Sequence, residues 1–183
     1  VLNESPETLT DTEECKTALS AAVDQANTAV YEEADQRQQS SMGTTLVAGL
    51  VRNGEAVIAN VGDSRAYEID SGSIEQVTVD QSLVQELVEQ GEITEEEAKT
   101  HPQRNVISQA LGTEVTVDPD FYQISLDGTL LLCSDGLTEE VDHETIHRIV
   151  SQSDGLSDAA KTLVTRANTN GGSDNITVLL HRS

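Results

Sequence analysis

Residues 44–79 read TTLVAGLVRNGEAVIANVGDSRAYEIDSGSIEQVTV, and their pattern decides the fold. Thr44 to Val51, Glu55 to Val61, Ala66 to Ile69 and Ile74 to Val79 are short β-rich runs. Asn53-Gly54, Gly62-Asp63 and Ser71-Gly72 separate them. Asn-Gly readily supplies the two positive-φ residues of a tight hairpin turn. The connections are too short for helical crossovers, so the four runs are expected as an antiparallel meander.

Upstream the period becomes helical. Cys15, Leu19, Ala22, Ala26 and Ala29, with Ala18, Val23 and Val30 beside them, predict a helix from about 11 to 38 with one apolar stripe. Thr10 and Glu13 read as its capping box. Downstream, Ser82 to Gln90, Thr94 to Thr100 and Val106 to Leu111 read as a mostly helical stretch. Phe121 to Leu126 and Thr129 to Cys133 read as a second hairpin across Asp127-Gly128. Helices are expected over about 142–151 and 157–169, the latter with Ala160, Leu163, Val164 and Ala167 on one face. Ile176 to Leu180 is a final apolar strand, expected at the centre of a sheet. Segregated antiparallel strands and helices mean α+β. Strands needing cover on both faces predict an antiparallel β-sandwich flanked by helices.

Composition narrows the function. The 183 residues suit a single domain with one core. The net charge is −23, with 33 acidic residues against 10 Lys and Arg. A nucleic-acid backbone is repelled by such a surface, so nucleic acid is excluded as a partner. Acids spread along the chain, with Lys reduced to Lys16, Lys99 and Lys161, point to a halophilic source in which salt screens self-repulsion. No run is long enough to span a membrane, and no secretion signal is visible. Cys15 and Cys133 lack metal spacing and read as two reduced core thiols of a cytoplasmic protein.

Few residues offer chemistry. There is no Gly-x-Ser-x-Gly elbow, and neither a phosphate loop nor a dinucleotide fingerprint. His143 and His147 stand at i, i+4, but the intervening Glu144, Thr145 and Ile146 leave the zinc-protease pattern incomplete, and a solvated helix face is expected. Carboxylates at strand ends remain. Asp135 follows the apolar run Leu130 to Cys133, and Asp174 precedes the last strand. If those strands are neighbours, the two carboxylates converge and repel unless protonated or bridged by a cation. Their hard oxygens suit Mg²⁺ or Mn²⁺, and paired ions of that kind activate water against a phosphoryl group.

Six segments then stand in order: Met42-Gly43-Thr44-Thr45; Ala59-Asn60-Val61-Gly62-Asp63-Ser64-Arg65-Ala66-Tyr67; Asp80-Gln81-Ser82-Leu83-Val84; Gly91-Glu92-Ile93-Thr94 through His101-Pro102 to Ala110-Leu111-Gly112; Ser134-Asp135-Gly136-Leu137-Thr138; and Gly172-Ser173-Asp174-Asn175-Ile176-Thr177-Val178. Together they resemble the metal-dependent protein phosphatases of the phosphatase 2C-like type, in their bacterial form. Gln81 stands where that family usually has His.

The resemblance implies a central β-sandwich flanked by helix pairs, with a flap-like insert at about 80–112. It implies hydrolysis of phosphoserine or phosphothreonine in a phosphoprotein substrate by metal-activated water, without a covalent enzyme intermediate. Asp135 and Asp174 match ligands of two Mg²⁺ or Mn²⁺ ions, and Asp135 and Asp80 match ligands of a third. Gly62 to Arg65 read as a structural turn whose Arg pairs locally. The family's opening strands, with a phosphate-gripping Arg and an Asp-Gly-Met-Gly-Gly motif whose Asp bridges both metals, do not occur in these 183 residues. They are expected from a longer native chain or from a partner pairing at open sheet edges. Without them a non-catalytic phosphatase-like domain that binds phosphoproteins or regulates a partner is the alternative.

Overall fold

A computed structural model describes residues 11–39 and 42–182. Helix α1 spans Thr12–Gln36 and begins where Asp11 accepts a hydrogen bond from the Glu14 amide at 2.8 Å. Asp11 thus takes the capping role expected of Thr10, which lies outside the described residues. Cys15, Leu19 and Val23 bury one stripe, as the spacing predicts. Ala29 does not belong to it, because Asn27 turns inward instead. The Asn27 amide nitrogen donates to the Glu114 and Val115 carbonyls, and its oxygen accepts from the Gly112 amide. A polar side chain saturated in this way can be buried without penalty.

The strands form two sheets. Strands β1 (Leu46–Arg52) and β2 (Glu55–Val61) make the expected hairpin, with Asn53 and Gly54 at φ 51° and 79°. Strand β3 (Arg65–Ile69) pairs with β4 (Ile74–Gln76), but in the other sheet. After α2 (Leu83–Glu89) and α3 (Glu95–Lys99), β5 (Asp120–Ser125) joins the first sheet beside β2. Strand β6 (Thr129–Cys133) joins the second beside β3. A single turn, α4 (Asp135–Thr138), leads to α5 (His143–Gln152) and α6 (Leu156–Asn170). Strand β7 (Val178–Arg182) closes the order β4-β3-β6-β7, against β1-β2-β5 in the first sheet.

Four expectations are corrected by the structure. The meander is two hairpins in opposite sheets, because the Gly62 turn carries the chain across the sandwich. A Cβ at Gly62, whose φ is +99°, would lie 2.4 Å from a Thr45 methyl. Strands β5 and β6 are not a hairpin either, since they lie in different sheets. Strand β7 is an edge among the described residues, because only β6 pairs with it. Residues 106–111 are extended rather than helical, held by bridges from Ile107 to Ser82 and from Leu111 to Thr44. Beyond Gln76 the Val77 amide still donates to the Ala66 carbonyl at 2.8 Å, while the Thr78 hydroxyl accepts from the Ala66 amide at 3.0 Å.

The layers follow from alternation along the strands. Ile58, Ala66, Leu130 and Leu132 fill the space between the sheets. Val57, Ala59 and Val61 face α1. Tyr67, Leu131 and Cys133 face the opposite way, into a cluster with Ile146, Val150, Leu163 and Ala167 of α5 and α6. The result is the expected α+β sandwich with helices outside both sheets. Its register matters for function. Arg65 pairs with Cys133, and Cys133 with Val178. The start of β3, the end of β6 and the start of β7 therefore meet at one end of the sandwich, where β2 also finishes.

Candidate metal centre

Asp135 enters that end as β6 runs out and α4 begins, and Asp174 as the loop after α6 turns into β7. Adjacent strands bring them together. The Ser134 amide donates to the Thr177 carbonyl, and the Ser134 hydroxyl donates to the Asn175 carbonyl at 2.8 Å while accepting from the Thr177 amide at 3.0 Å. The two segments approach so closely that a Cβ at Gly136 would lie 2.6 Å from the Asn175 oxygen. Each carboxylate has one local partner. Asp135 accepts from the Gly136 amide at 2.8 Å, and Asp174 from the Asn175 amide at 2.6 Å. Burial raises the Asp135 carboxyl above its ordinary range, and repulsion from Asp174 and Asp80 adds to it.

Asp80 meets a different environment. The Arg65 side chain grips it through Nε at 2.8 and 3.1 Å and through Nη2 at 2.6 Å. Nη1 of the same guanidinium reaches the hydroxyls of Tyr67 and of Thr138 on α4, both at 3.3 Å. The local pairing expected of Arg65 is therefore with the very residue matched to a metal ligand. Burial opposes the Arg65 charge, but the Asp80 carboxylate outweighs it and holds the guanidinium protonated.

The turn between β2 and β3 contributes a fourth acid. Asp63, read as structural from its sequence, has its carboxyl pushed up to about 6 by burial and by the charges of Asp135 and Asp80. Its signal resembles that of Asp135, an acid placed just where an apolar strand ends. Gln81 fixes this turn. Its backbone amide donates to the Gly62 carbonyl at 3.0 Å, its side-chain oxygen accepts from the Gly62 amide at 2.8 Å, and its side-chain nitrogen donates to Asp120 at 2.8 Å.

The histidines stay out of this cluster. His143 is not simply solvated, for its Nε2 lies 3.2 Å from the Tyr67 hydroxyl and its ring meets Tyr67 edge-on. His147 Nε2 contacts the Asp70 carbonyl instead, so the i, i+4 pair is split. Cys15 and Cys133 are both buried and free, and burial pushes the Cys133 thiol up to about 12, where it is inert.

Four carboxylates thus gather at a single end of the sandwich, where Asp135 feels Asp174 and Asp80, and Asp63 feels Asp135 and Asp80. Among the described residues, Asp63, Asp135 and Asp174 form no ion pair with Lys or Arg. No group of three His, Cys, Asp or Glu side chains among those residues closes on a common point. The arrangement is an open set of hard oxygen donors, and the raised proton affinity of Asp63 and Asp135 marks a deficit of positive charge. That chemistry fits Mg²⁺ or Mn²⁺.

Comparison with known proteins identifies the family. The family described as protein phosphatase 2C matches residues 1–176. The serine/threonine phosphatase stp of Listeria welshimeri is 42% identical over 171 residues, which cover 92% of this chain and 68% of that protein. The crystal structure of the serine/threonine phosphatase Stp1 from Staphylococcus aureus superposes with a TM-score of 0.88 at 40% identity, covering 97% of this chain and 70% of that one. The catalytic domain of the serine/threonine protein phosphatase PstP, solved in complex with two manganese ions, has a TM-score of 0.81 at 33% identity, with 93% and 72% of the two chains covered.

Proposed function

The chain belongs to the protein phosphatase 2C family of metal-dependent serine/threonine phosphatases, and from that premise we propose that it hydrolyses phosphoserine and phosphothreonine in proteins at a centre built on Asp135 and Asp174. The observation that carries this reading is the convergence of those two carboxylates from neighbouring strand ends, with Asp174 helping to raise the Asp135 carboxyl. Asp135 and Asp174 would hold a pair of Mg²⁺ or Mn²⁺ ions, and Asp80, with Asp135, would hold a third. Such ions, when bound, supply Lewis acidity to the phosphoryl group and activate water near neutral pH. The chain's own residues fix the geometry. Ser134 ties the two carboxylate segments together, and Arg65 orients Asp80 and reaches α4 through Thr138.

The same reading treats the chain as one domain with residues 80–112 as a flap. The Ser82–Ile107 bridge closes its neck, and Asn27 anchors its C-terminal end at Gly112. Phosphoproteins are the substrates, and the cytoplasm and a high-salt milieu are the setting in which the −23 charge is tolerated. Among the described residues, no helix is long and apolar enough to cross a membrane. The test is Mn²⁺-dependent release of phosphate from a phosphothreonine peptide, assayed in high salt with the full native chain. Release is expected, and its absence at saturating Mn²⁺ would sink the reading.

A further inference from the structure

Two like charges held side by side need something to keep them there. Ser134 grips the chain on the far side of Asp174, at Asn175 and Thr177. The near side is gripped by Glu140, just beyond α4. One oxygen of its carboxylate accepts from the Ser173 amide at 3.2 Å and from the Ser173 hydroxyl at 2.8 Å. Its backbone carbonyl accepts from the Asn170 side chain at 2.6 Å. The loop lies so close that a Cβ at Gly171 would sit 2.7 and 2.8 Å from the two Glu140 carboxylate oxygens. Both grips therefore come from residues 134–140, the segment that also carries Asp135.

The placement of Glu140 is informative because local forces disfavour it. Its carboxylate faces the C-terminal end of α6, where carbonyl dipoles repel an anion. It also adds negative charge to a region already crowded by Asp135 and Asp174. Stabilising α6 does not account for an acid there, whereas fixing the loop before Asp174 does. We propose that Glu140 is a positioning residue, which with Ser134 clamps the Asp174 loop onto the Asp135 turn so that both carboxylates address one cation. The proposal rests on the metal-centre reading above.

Two measurements on the full native chain in high salt separate the two ideas. The first is hydrogen exchange without metal. Glu140→Ala is expected to speed exchange of the amides at 171–177 by about tenfold while β2 and β6 stay protected. Unchanged exchange there overturns the clamp, whatever the metal does. The second is Mn²⁺ binding, read from the electron paramagnetic resonance signal of the free ion. Glu140→Ala is expected to weaken binding by about 10- to 100-fold, as supporting residues around metal sites typically do. Glu140→Gln keeps an acceptor for Ser173 and is expected to bind within about threefold of the parent. A Gln variant as weak as the Ala variant overturns positioning by hydrogen bonds. If Asp135→Asn weakens binding and Glu140→Ala does not, the clamp fails and the metal centre stands. If Asp135→Asn leaves Mn²⁺ binding intact, the metal-centre reading fails. Should Glu140→Ala not fold, Ser173→Ala removes one of the two bonds alone and is expected to weaken binding by about threefold, with no change overturning the proposal.

Discussion

Asp80 and the Asp135–Asp174 pair are acids at the same end of one sandwich, yet the protein answers their charges in opposite ways. Asp80 is gripped in a fork by Arg65, and the two side chains are only 15% and 27% exposed. Asp135 and Asp174 each receive one backbone amide from the next residue. Burial and mutual repulsion then raise Asp135. The fold therefore spends its scarce positive charge on Asp80, and in the proposed centre a cation from outside would answer the other pair. Asp63 lies between these extremes, near Arg65 but not paired with it, with its carboxyl pushed to about 6.

The largest expected effect breaks the unanswered side. Asp135→Ala or Asp174→Ala should abolish Mn²⁺-dependent phosphate release in the full native chain. Retained turnover in either would refute that residue's ligand role. On the answered side the effect is on stability. Arg65→Met leaves a mostly buried Asp80 carboxylate without its partner and should cost about 2–3 kcal/mol in urea unfolding. Adding Asp80→Asn should recover part of that loss, since the two effects are coupled. A loss under about 0.5 kcal/mol would mean that the pair behaves like an exposed one.

What could be read from the chain alone follows the range of the forces involved. The Asn53-Gly54 hairpin and the Cys15-Leu19-Val23 stripe were legible because local backbone and periodicity set them. The assignment of strands to sheets was not. Nothing local distinguishes a turn within a sheet from the Gly62 crossing between sheets, which depends on packing against Thr45. Residues 106–111 looked helical by composition but are held extended by bridges to Ser82 and Thr44. At the site, Asp135 and Asp174 stood out because each borders an apolar strand. Asp63 gave the same signal but lay inside a turn motif with an adequate structural explanation. Glu140 gave none, because its partner Ser173 lies 33 residues away.

Asp63 sharpens the comparison through pH. Its folded carboxyl titrates near 6 against an ordinary 3.8, so the folded chain binds this proton more tightly than the unfolded one. That contribution is complete below the ordinary value and is lost as pH rises through about 6. At pH above about 7, in chelator, Asp63→Asn should therefore stabilise the chain by about 1–2 kcal/mol, after allowing for solvent screening of a partly exposed group. The gain should shrink toward pH 4. A gain independent of pH would show that Asp63 is not held at a disadvantage by its neighbours.

Gln81 supplies the smallest effect and the finest distinction. It touches the Asp63 turn without sharing its charge, receiving the Gly62 amide in a part-buried bond and donating to Asp120. Gln81→Ala leaves that amide unpaired, but water can reach the partly exposed position, so a loss of about 1 kcal/mol is expected. The pH profile should not change, because no ionisable group is removed. Gln81→Glu keeps an acceptor for Gly62 but loses the donor and sets a carboxylate against Asp120, so it should be the worse substitution at neutral pH and approach Gln on acidification. If Gln81→Ala instead costs more than Arg65→Met, the turn rather than the ion pair holds this end of the sandwich, and Arg65 must owe its place to orienting Asp80 rather than to stability.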